Sequence, residues 1–273
     1  LVFISPSNIN SKFSNNIISI GISLESQLIA LLNFIKKQKK TKTVIIYPKN
    51  QFAKLIENEL ESLNLSNIKT FTYNPNPEVL TGEIEKLTNY AQRKKNLKLR
   101  KKMFEDKDDE ASIKELERLD QLYTLGGVNF DSVIIIDFGN SLKSVLTSLV
   151  YTDVNQETVL FTTVNQWFDE SIFYENTIKK LYYPSVNYNE FKKYNEKYFK
   201  KFNIYPNEIT ILTYDALGLI YYAWKKNGVI KSINDFSFKS KIKGKIGTFS
   251  FKNQKVLQEL NIYKIENKKF VKY

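Results

Sequence analysis

Ser132-Val133-Ile134-Ile135-Ile136-Asp137-Phe138-Gly139-Asn140-Ser141-Leu142 reads as a strand, a loop and the start of a helix. The unbroken β-branched run Val133 to Ile136 leaves no polar face, so this strand is buried on both sides. That is the pattern of a parallel sheet covered by helices on each face. Leu142, Val145, Leu146 and Leu149 then follow at helical spacing, and Asp137 stands where a carboxylate suits a helix N-terminus. The same rhythm recurs outward in both directions. Val44–Tyr47, Ile68–Tyr73 and Val159–Val164 are further strands of similar length. Leu24, Leu28, Leu31, Leu32 and Ile35 form the apolar stripe of a helix, with Ser23 as N-cap and Lys36–Lys40 at its C-terminal end. Phe52, Leu55, Ile56 and Leu63 outline another. Strands alternating with helices predict an α/β fold of doubly wound parallel sheets with right-handed crossovers.

Two stretches depart from this rhythm. From Gly82 to Leu122 the pattern gives two helices and no strand, the first through Ile84, Leu87 and Ala91, the second through Ile113, Leu116 and Leu119. Between them Arg93–Lys102 holds seven basic residues and no acid, and Glu105–Glu110 holds five acids and one Lys. Opposite charge blocks around a turn fit a helical hairpin with a solvated, partly ion-paired surface. After Pro184 strands give way to helices. Asn189–Phe202 carries Phe191, Tyr194, Tyr198 and Phe202, and Asn207–Lys226 carries Ile211, Tyr214, Ala216, Leu217, Ile220 and Trp224 before the C-capping Asn227-Gly228. These aromatics read as core and helix packing. The tail alternates apolar and polar residues like antiparallel strands, first Thr248-Phe249-Ser250-Phe251 and then Leu260 to Ile265.

The 273 residues suffice for two domains, and 42% hydrophobic with 26% charged residues is a globular balance. The chain has no Cys and no His, which removes thiol nucleophiles, Ser-His-Asp triads and the usual zinc sites. Gly126-Gly127 and Gly244-x-x-Gly247 lack the spacing and the Lys-Ser/Thr of a phosphate loop. The acidic turn 106–110 does not follow calcium-loop spacing, and no carboxylate pair stands out. No enzyme activity, catalytic residue, cofactor or metal is expected. Net charge is +12, concentrated at the end, where Lys225 to Tyr273 holds thirteen Lys against Asp235, Glu259 and Glu266. Those Lys are scattered along strands and turns without an Arg-rich stripe or stacking aromatics, so nucleic acid is not the expected partner. No apolar run is long enough to span a bilayer. The sequence begins at Leu1 without a leader, and any signal or lipid anchor is expected upstream.

Several segments, in order, resemble the leucine-binding-protein-like class of type I periplasmic binding proteins. Ile4-Ser5-Pro6-Ser7 is similar to that family's "ISP" cleft loop. Tyr205-Pro206 with Tyr214-Asp215-Ala216 resembles its "Y-G-x-x-P … Y-D-A" helix pair, and Gly247-Thr248-Phe249-Ser250-Phe251 with Ile262 to Asn267 resembles its closing hairpin. Leu87-Thr88, Tyr90, Arg93-Lys94, Leu125-Gly126-Gly127 and Phe130-Asp131-Ser132-Val133 look more narrowly like the alphaproteobacterial penicillin-binding-protein activators, whose helical insertion ends "T-L-G-x-x-P-F-D-A-V". Val128-Asn129 departs from the residues that precede the Phe of that pattern.

The resemblance implies two lobes, one complete over 16–183 with a helical hairpin insertion at 82–122. The other is partial over 1–15 and 184–260, with 261–273 crossing back. In the parent fold three strand–helix units precede the "ISP" strand, so the half that holds Tyr214 and Trp224 is expected to expose a large hydrophobic surface. In receptors of this class a ligand lies against loops at the C-terminal ends of strands. Here those loops supply Ser5, Ser7 and Asn8, then Gly139 and Asn140, then Gln166 and Trp167, a set suited to a polar ligand. Ile9 stands roughly where amino-acid receptors carry a Thr that holds the ligand's polar head. By resemblance the chain is a non-enzymatic periplasmic lipoprotein domain acting on a penicillin-binding protein, a peptidoglycan synthase. The alternative is a receptor that delivers an amino acid or similar small polar solute to an ABC permease. Membrane contact is expected only through an upstream lipid anchor.

Overall fold

The computed structural model describes residues 2–6, 16–65, 67–236, 238–245, 247–252 and 255–273. They gather into two units, one of Leu1–Lys37, Val164–Asp169 and Tyr182–Tyr273, the other of Gln38–Thr163 and Glu170–Leu181. The first unit starts with two short parallel strands, β1 (Phe3–Ser5) and β2 (Ile17–Ser19), with Ser5 opposite Ser19. Three residues hold too little periodicity for β2 to show in the sequence. The helix α1 (Leu24–Lys37) starts where the pattern predicts: the Ser23 hydroxyl accepts the Ser26 N–H at 3.2 Å, and Lys36 and Lys37 close the last turn. Its buried face is Leu28, Leu31, Phe34 and Ile35.

The second unit is the strand–helix alternation. β3 (Thr43–Pro48), α2 (Ala53–Ser62) and β4 (Lys69–Tyr73) lead into three helices, α3 (Pro77–Leu87), α4 (Tyr90–Lys102) and α5 (Glu110–Asp120). β5 (Ser132–Ile135), α6 (Gly139–Tyr151) and β6 (Leu160–Thr163) complete it. Its strands run parallel in the order β6-β5-β3-β4, with Ile45 beside Ile134 and Ile134 beside Thr162. Every residue of β5 is buried, as its unbroken apolar run requires. At about 1.5–3 kcal/mol for each fully buried aliphatic side chain, the block of Val44, Ile45, Ile46, Val133, Ile134 and Ile135 anchors this unit.

Three helices, not two, separate β4 from β5. The apolar run through Ile84, Leu87 and Ala91 is broken at Thr88-Asn89, where the Thr88 hydroxyl donates to the Ile84 carbonyl at 2.9 Å and Asn89 takes φ +51°. Asn is among the few residues that adopt the left-handed region at small cost, so one apolar stripe serves two helices. Asn76 caps α3 and Asp109 caps α5. The α4–α5 pair carries the expected opposite charges, with Lys101 and Asp120 at 2.7 Å.

The chain returns to the first unit through β7 (Leu181–Ser185), α7 (Tyr188–Phe202) and α8 (Glu208–Asn227). Strand structure therefore continues through Pro184, one residue past the point where the pattern predicts helices to take over. β8 (Ile242–Lys243), β9 (Thr248–Lys252) and β10 (Lys255–Glu259) form an antiparallel sheet in the order β10-β9-β8. β11 (Asn261–Glu266) and β12 (Lys269–Lys272) form a hairpin whose turn residues Asn267 and Lys268 both have positive φ. The 248–252 and 261–266 strands thus pair with other partners rather than with each other, because β10 supplies the edge that β9 needs.

The core of this unit is Ile18, Ile20, Leu219, Ala223, Phe236, Phe249 and Val256. Asn207 caps α8 by accepting the Thr210 N–H at 2.9 Å, and Gly228 ends it with φ +75°. Only one face of α8 is covered. Tyr214, Leu217 and Trp224 are 55%, 61% and 56% exposed, so the expected open hydrophobic surface is present; of the three, Tyr214 also packs between helices, its ring 5.7 Å from that of Tyr194 on α7.

Candidate functional site

Gly139 and Asn140 belong to the second unit, where β5 hands over to α6. The helix starts three residues earlier than its apolar stripe, so both residues lie in its first turn and not in a free loop. Gly139 has φ +56°, a backbone that L side chains rarely adopt, and it lets the chain turn sharply after Phe138. Asp137 is buried beneath this corner. Its carboxylate accepts the Phe138 N–H at 2.8 Å, the Ser141 hydroxyl at 2.5 Å and the Tyr73 hydroxyl from the neighbouring β4. Burial, and then the Asp137 charge, push the Tyr73 phenol far above its ordinary pKa, so it stays a proton donor to Asp137. Asp137 acts on the corner through Phe138, Ser141 and Tyr73. Asn140 is exposed and lines a polar groove of about 380 Å³ with Pro77, Leu80, Thr81, Lys143 and Ser144.

Gln166 and Trp167 belong to the first unit, in the segment that follows β6. The Gln166 carbonyl accepts the Asp169 N–H at 3.0 Å, and the two residues between them, Trp167 and Phe168, have φ +49° and +61°. This is the form of a type I′ turn, whose central positions normally take Asn or Gly. Bulky side chains in that region cost on the order of 1–3 kcal/mol each and persist only where the surroundings hold them.

Two anchors do so. Phe168 is buried among Tyr183, Tyr188, Phe191, Tyr263 and Phe270, with ring centroids between 4.8 and 6.0 Å. Asn165, on the other side, accepts the Trp167 N–H at 3.0 Å through its side chain, and its own N–H donates to Gln27 Oε1 at 2.7 Å. The Gln27 amide in turn donates to the Ile22 carbonyl at 2.9 Å. Trp167 itself is half-buried, with Phe191 at 6.1 Å.

Ser5 ends β1, half-buried, and its carbonyl accepts the Ile20 N–H at 2.8 Å, so the "ISP" strand is tied to the core strand beside it. Ser7 and Asn8, and Ile9 with them, lie outside the described residues. The first unit therefore holds Ser5, Gln166 and Trp167, and the second holds Gly139 and Asn140. The groups offered are hydroxyl, amide and indole. They can hydrogen-bond and stack.

Sequence reading takes Asn165 to Phe168 as a candidate loop but misses the supporting roles of Asn165 and Phe168 within it, and misses Tyr73 and Gln27 as supports altogether. One signal was available: Gln27 interrupts the first helix's apolar stripe and is buried nonetheless. A larger cavity of about 680 Å³ lies between α7 and α8, lined by Tyr194, Tyr198, Phe202, Tyr214 and Leu217 with Lys197, Lys201 and Lys245. None of the predicted site residues among the described ones lines it. Among the described residues no helix is long and apolar enough to cross a membrane.

No family model and no curated protein matches the chain. Solved structures match along its whole length. The C-domain of LpoA from Haemophilus influenzae, described as a regulator of PBP1A, shares 12% identity at a TM-score of 0.59, over 100% of this chain and 73% of that one. The leucine-binding protein LivK from Thermotoga maritima shares 12% identity at a TM-score of 0.58, over 100% of this chain and 72% of that one. Full-length LpoA from Haemophilus influenzae shares 11% identity at a TM-score of 0.57, and this chain spans 43% of its length. The fold is the type I periplasmic-binding fold, seen in a leucine binding protein and in the C-domain of a PBP1A regulator.

Proposed function

We propose that this chain of type I periplasmic-binding fold is a non-enzymatic interaction domain that regulates a penicillin-binding protein in peptidoglycan synthesis. The observation that carries the reading is the match of the whole chain to the LpoA C-domain, which is described as a PBP1A regulator. The helical segment α3–α5 supports it. Seven basic residues lie in Arg93–Lys102, and α4 buries only Tyr90, Arg93 and Leu97, which leaves most of its charge available to a partner. On this reading the protein works in the periplasm, and a lipid anchor upstream of this chain would hold it at the outer membrane. Surface plasmon resonance against a purified bifunctional penicillin-binding protein tests it. Saturable binding, weakened by replacing Lys94, Lys95 and Lys98 with Glu, supports the role; absence of binding contradicts it.

A second reading, a solute receptor serving an ABC permease, is favoured by the pre-formed turn at Gln166–Asp169. Ser5, Ser7, Asn8, Gly139, Asn140, Gln166 and Trp167 are its proposed contacts. A ligand at a hundredfold excess over its Kd stabilises the folded state by about 2.7 kcal/mol. Thermal unfolding against amino acids and small polar solutes therefore detects it as a rise in Tm, one that Ser7→Ala or Trp167→Ala abolishes. A flat response across the panel contradicts this second reading and leaves the first untouched.

A further inference from the structure

The turn at Gln166–Asp169 keeps two large rings where the backbone favours Asn or Gly. The position of Phe168 is explained by its five aromatic neighbours, since its ring fills the space between β7, α7 and the β11–β12 hairpin. Trp167 has no such explanation inside its unit. It is half-buried, its ring neighbour is Phe191 at 6.1 Å, and Asn or Gly would form the same turn without steric opposition. The turn is also braced beyond its own hydrogen bond. Gln27 on α1 fixes Asn165, and the Asn165 side chain fixes the Trp167 N–H. A bulky residue held against its backbone preference, with dedicated supports on both sides, marks a ring whose placement is used.

We propose that the Gln166–Asp169 turn is a pre-formed stacking platform, on which the Trp167 indole takes the face of a planar ring carried by the solute. Asn165, Gln27 and Phe168 are positioning residues that set the indole, and the Gln166 side-chain amide, which donates to the Val164 carbonyl at 3.1 Å, braces the same turn. The inference deepens the second reading above by naming the ligand class, compounds with a flat aromatic ring. Because the platform is pre-formed, binding does not have to order it, and recognition rests on shape and on the indole's π-face.

The chain has two Trp residues, so Trp224→Phe leaves Trp167 as the single indole reporter. In that protein, benzamide and cyclohexanecarboxamide are titrated while Trp167 emission is followed. The two probes match in size and in their amide and differ in ring planarity. Benzamide is expected to perturb the emission and to bind about three- to tenfold more tightly, the advantage that a favourable ring pair gives over equal buried area. Asn165→Ala is expected to diminish both the benzamide response and the near-UV circular dichroism of Trp167, and Asn165→Asp, which keeps the acceptor, to restore them. Trp167→Asn is expected to unfold at or above the parent temperature and to lose the rise in unfolding temperature that benzamide gives the parent. Equal affinity for the two probes, or no response to either at millimolar concentration, overturns the ligand class. A marked drop in the unfolding temperature of Trp167→Asn overturns the platform, because it would make Trp167 a packing residue. A flat solute panel with a benzamide response that follows planarity separates this inference from the choice of natural solute.

Discussion

Arg93 is 6% exposed, and each part of its guanidinium has a partner. It donates to the carbonyls of Gly126 and Thr152 at 2.9 Å and of Asp153 at 2.8 Å, and to the Thr124 hydroxyl at 2.7 Å. One planar fork thus ties α4 to the segment before β5 and to the end of α6, which an ammonium on a flexible stem cannot reproduce. Arg93→Met removes the donor to the buried Thr152 carbonyl and to the less buried carbonyls of Gly126 and Asp153, and is expected to cost about 1–3 kcal/mol in denaturant unfolding, with Arg93→Lys intermediate.

A second residue-scale constraint lies at Gly244, where an added Cβ would stand 2.7 Å from the Asp215 carboxylate that accepts the Lys245 N–H. Gly244→Ala is expected to lower stability by about 1–3 kcal/mol, read from the same transition. Neither role was legible beforehand. Arg93 sits inside a run of seven basic residues that reads as a solvated face, and only the fold shows that this one points inward. Asp215, in the Tyr-Asp-Ala motif, gives no sequence sign of the glycine it meets 29 positions later.

Element boundaries follow from local chemistry wherever a cap is present. Asn76, Asp109, Asn187 and Asn207 each accept an N–H of the helix they precede. Asn207→Ala is expected to destabilise by about 1 kcal/mol, with the loss of helix signal in circular dichroism confined to fraying of α8. Asp131 plays a comparable part between strands. Its carboxylate accepts the N–H groups of Thr41 and Lys42, both at 2.9 Å, and so sets the start of β3 beside that of β5.

Partial burial works to raise the Asp131 pKa, but those two N–H bonds, with Lys40 nearby, outweigh it and hold the carboxyl below the usual carboxylate range. A carboxyl whose pKa is depressed by folding adds stability that is fully present above its unfolded value near about 4 and is lost as pH falls through the lower folded value. The stability gap between the parent and Asp131→Asn is therefore expected to be constant near neutrality and to shrink below about pH 4. The strands β3, β5 and β6 were legible because their side chains are buried on both faces, whereas β4, at the end of this order, is exposed at Lys69 and Thr70. The 77–102 region was legible as helix but not as two helices, since a left-handed Asn interrupts the backbone without interrupting the apolar stripe. The turn at 166–169 was legible as a polar loop, but its hand was not, because Trp and Phe carry no turn signal.

At the scale of the whole molecule, the order of segments carried more information than any motif, and it led to the fold that the structural matches show. Sequence pattern gave the composition of the candidate loops without their supports, because Gln27, Tyr73 and the rings that hold Phe168 come from elements distant in the chain. The open face of α8 follows from the same cause in reverse: aromatics at helical spacing look like core, and only tertiary structure shows which stripe is covered. That face is expected to bind a hydrophobic dye and to drive self-association. Leu217→Lys with Tyr221→Lys should diminish both in dye titration and sedimentation, while unfolding changes little, since these side chains lie outside the core.

The proposed regulation of a cell-wall synthase is tested most directly by the peptidoglycan-synthesis rate of a purified bifunctional penicillin-binding protein, with and without this protein. The account predicts a saturable rise in rate that is lost when Lys94, Lys95 and Lys98 are replaced by Glu. An unchanged rate at saturating protein, with the fold verified intact, would contradict it.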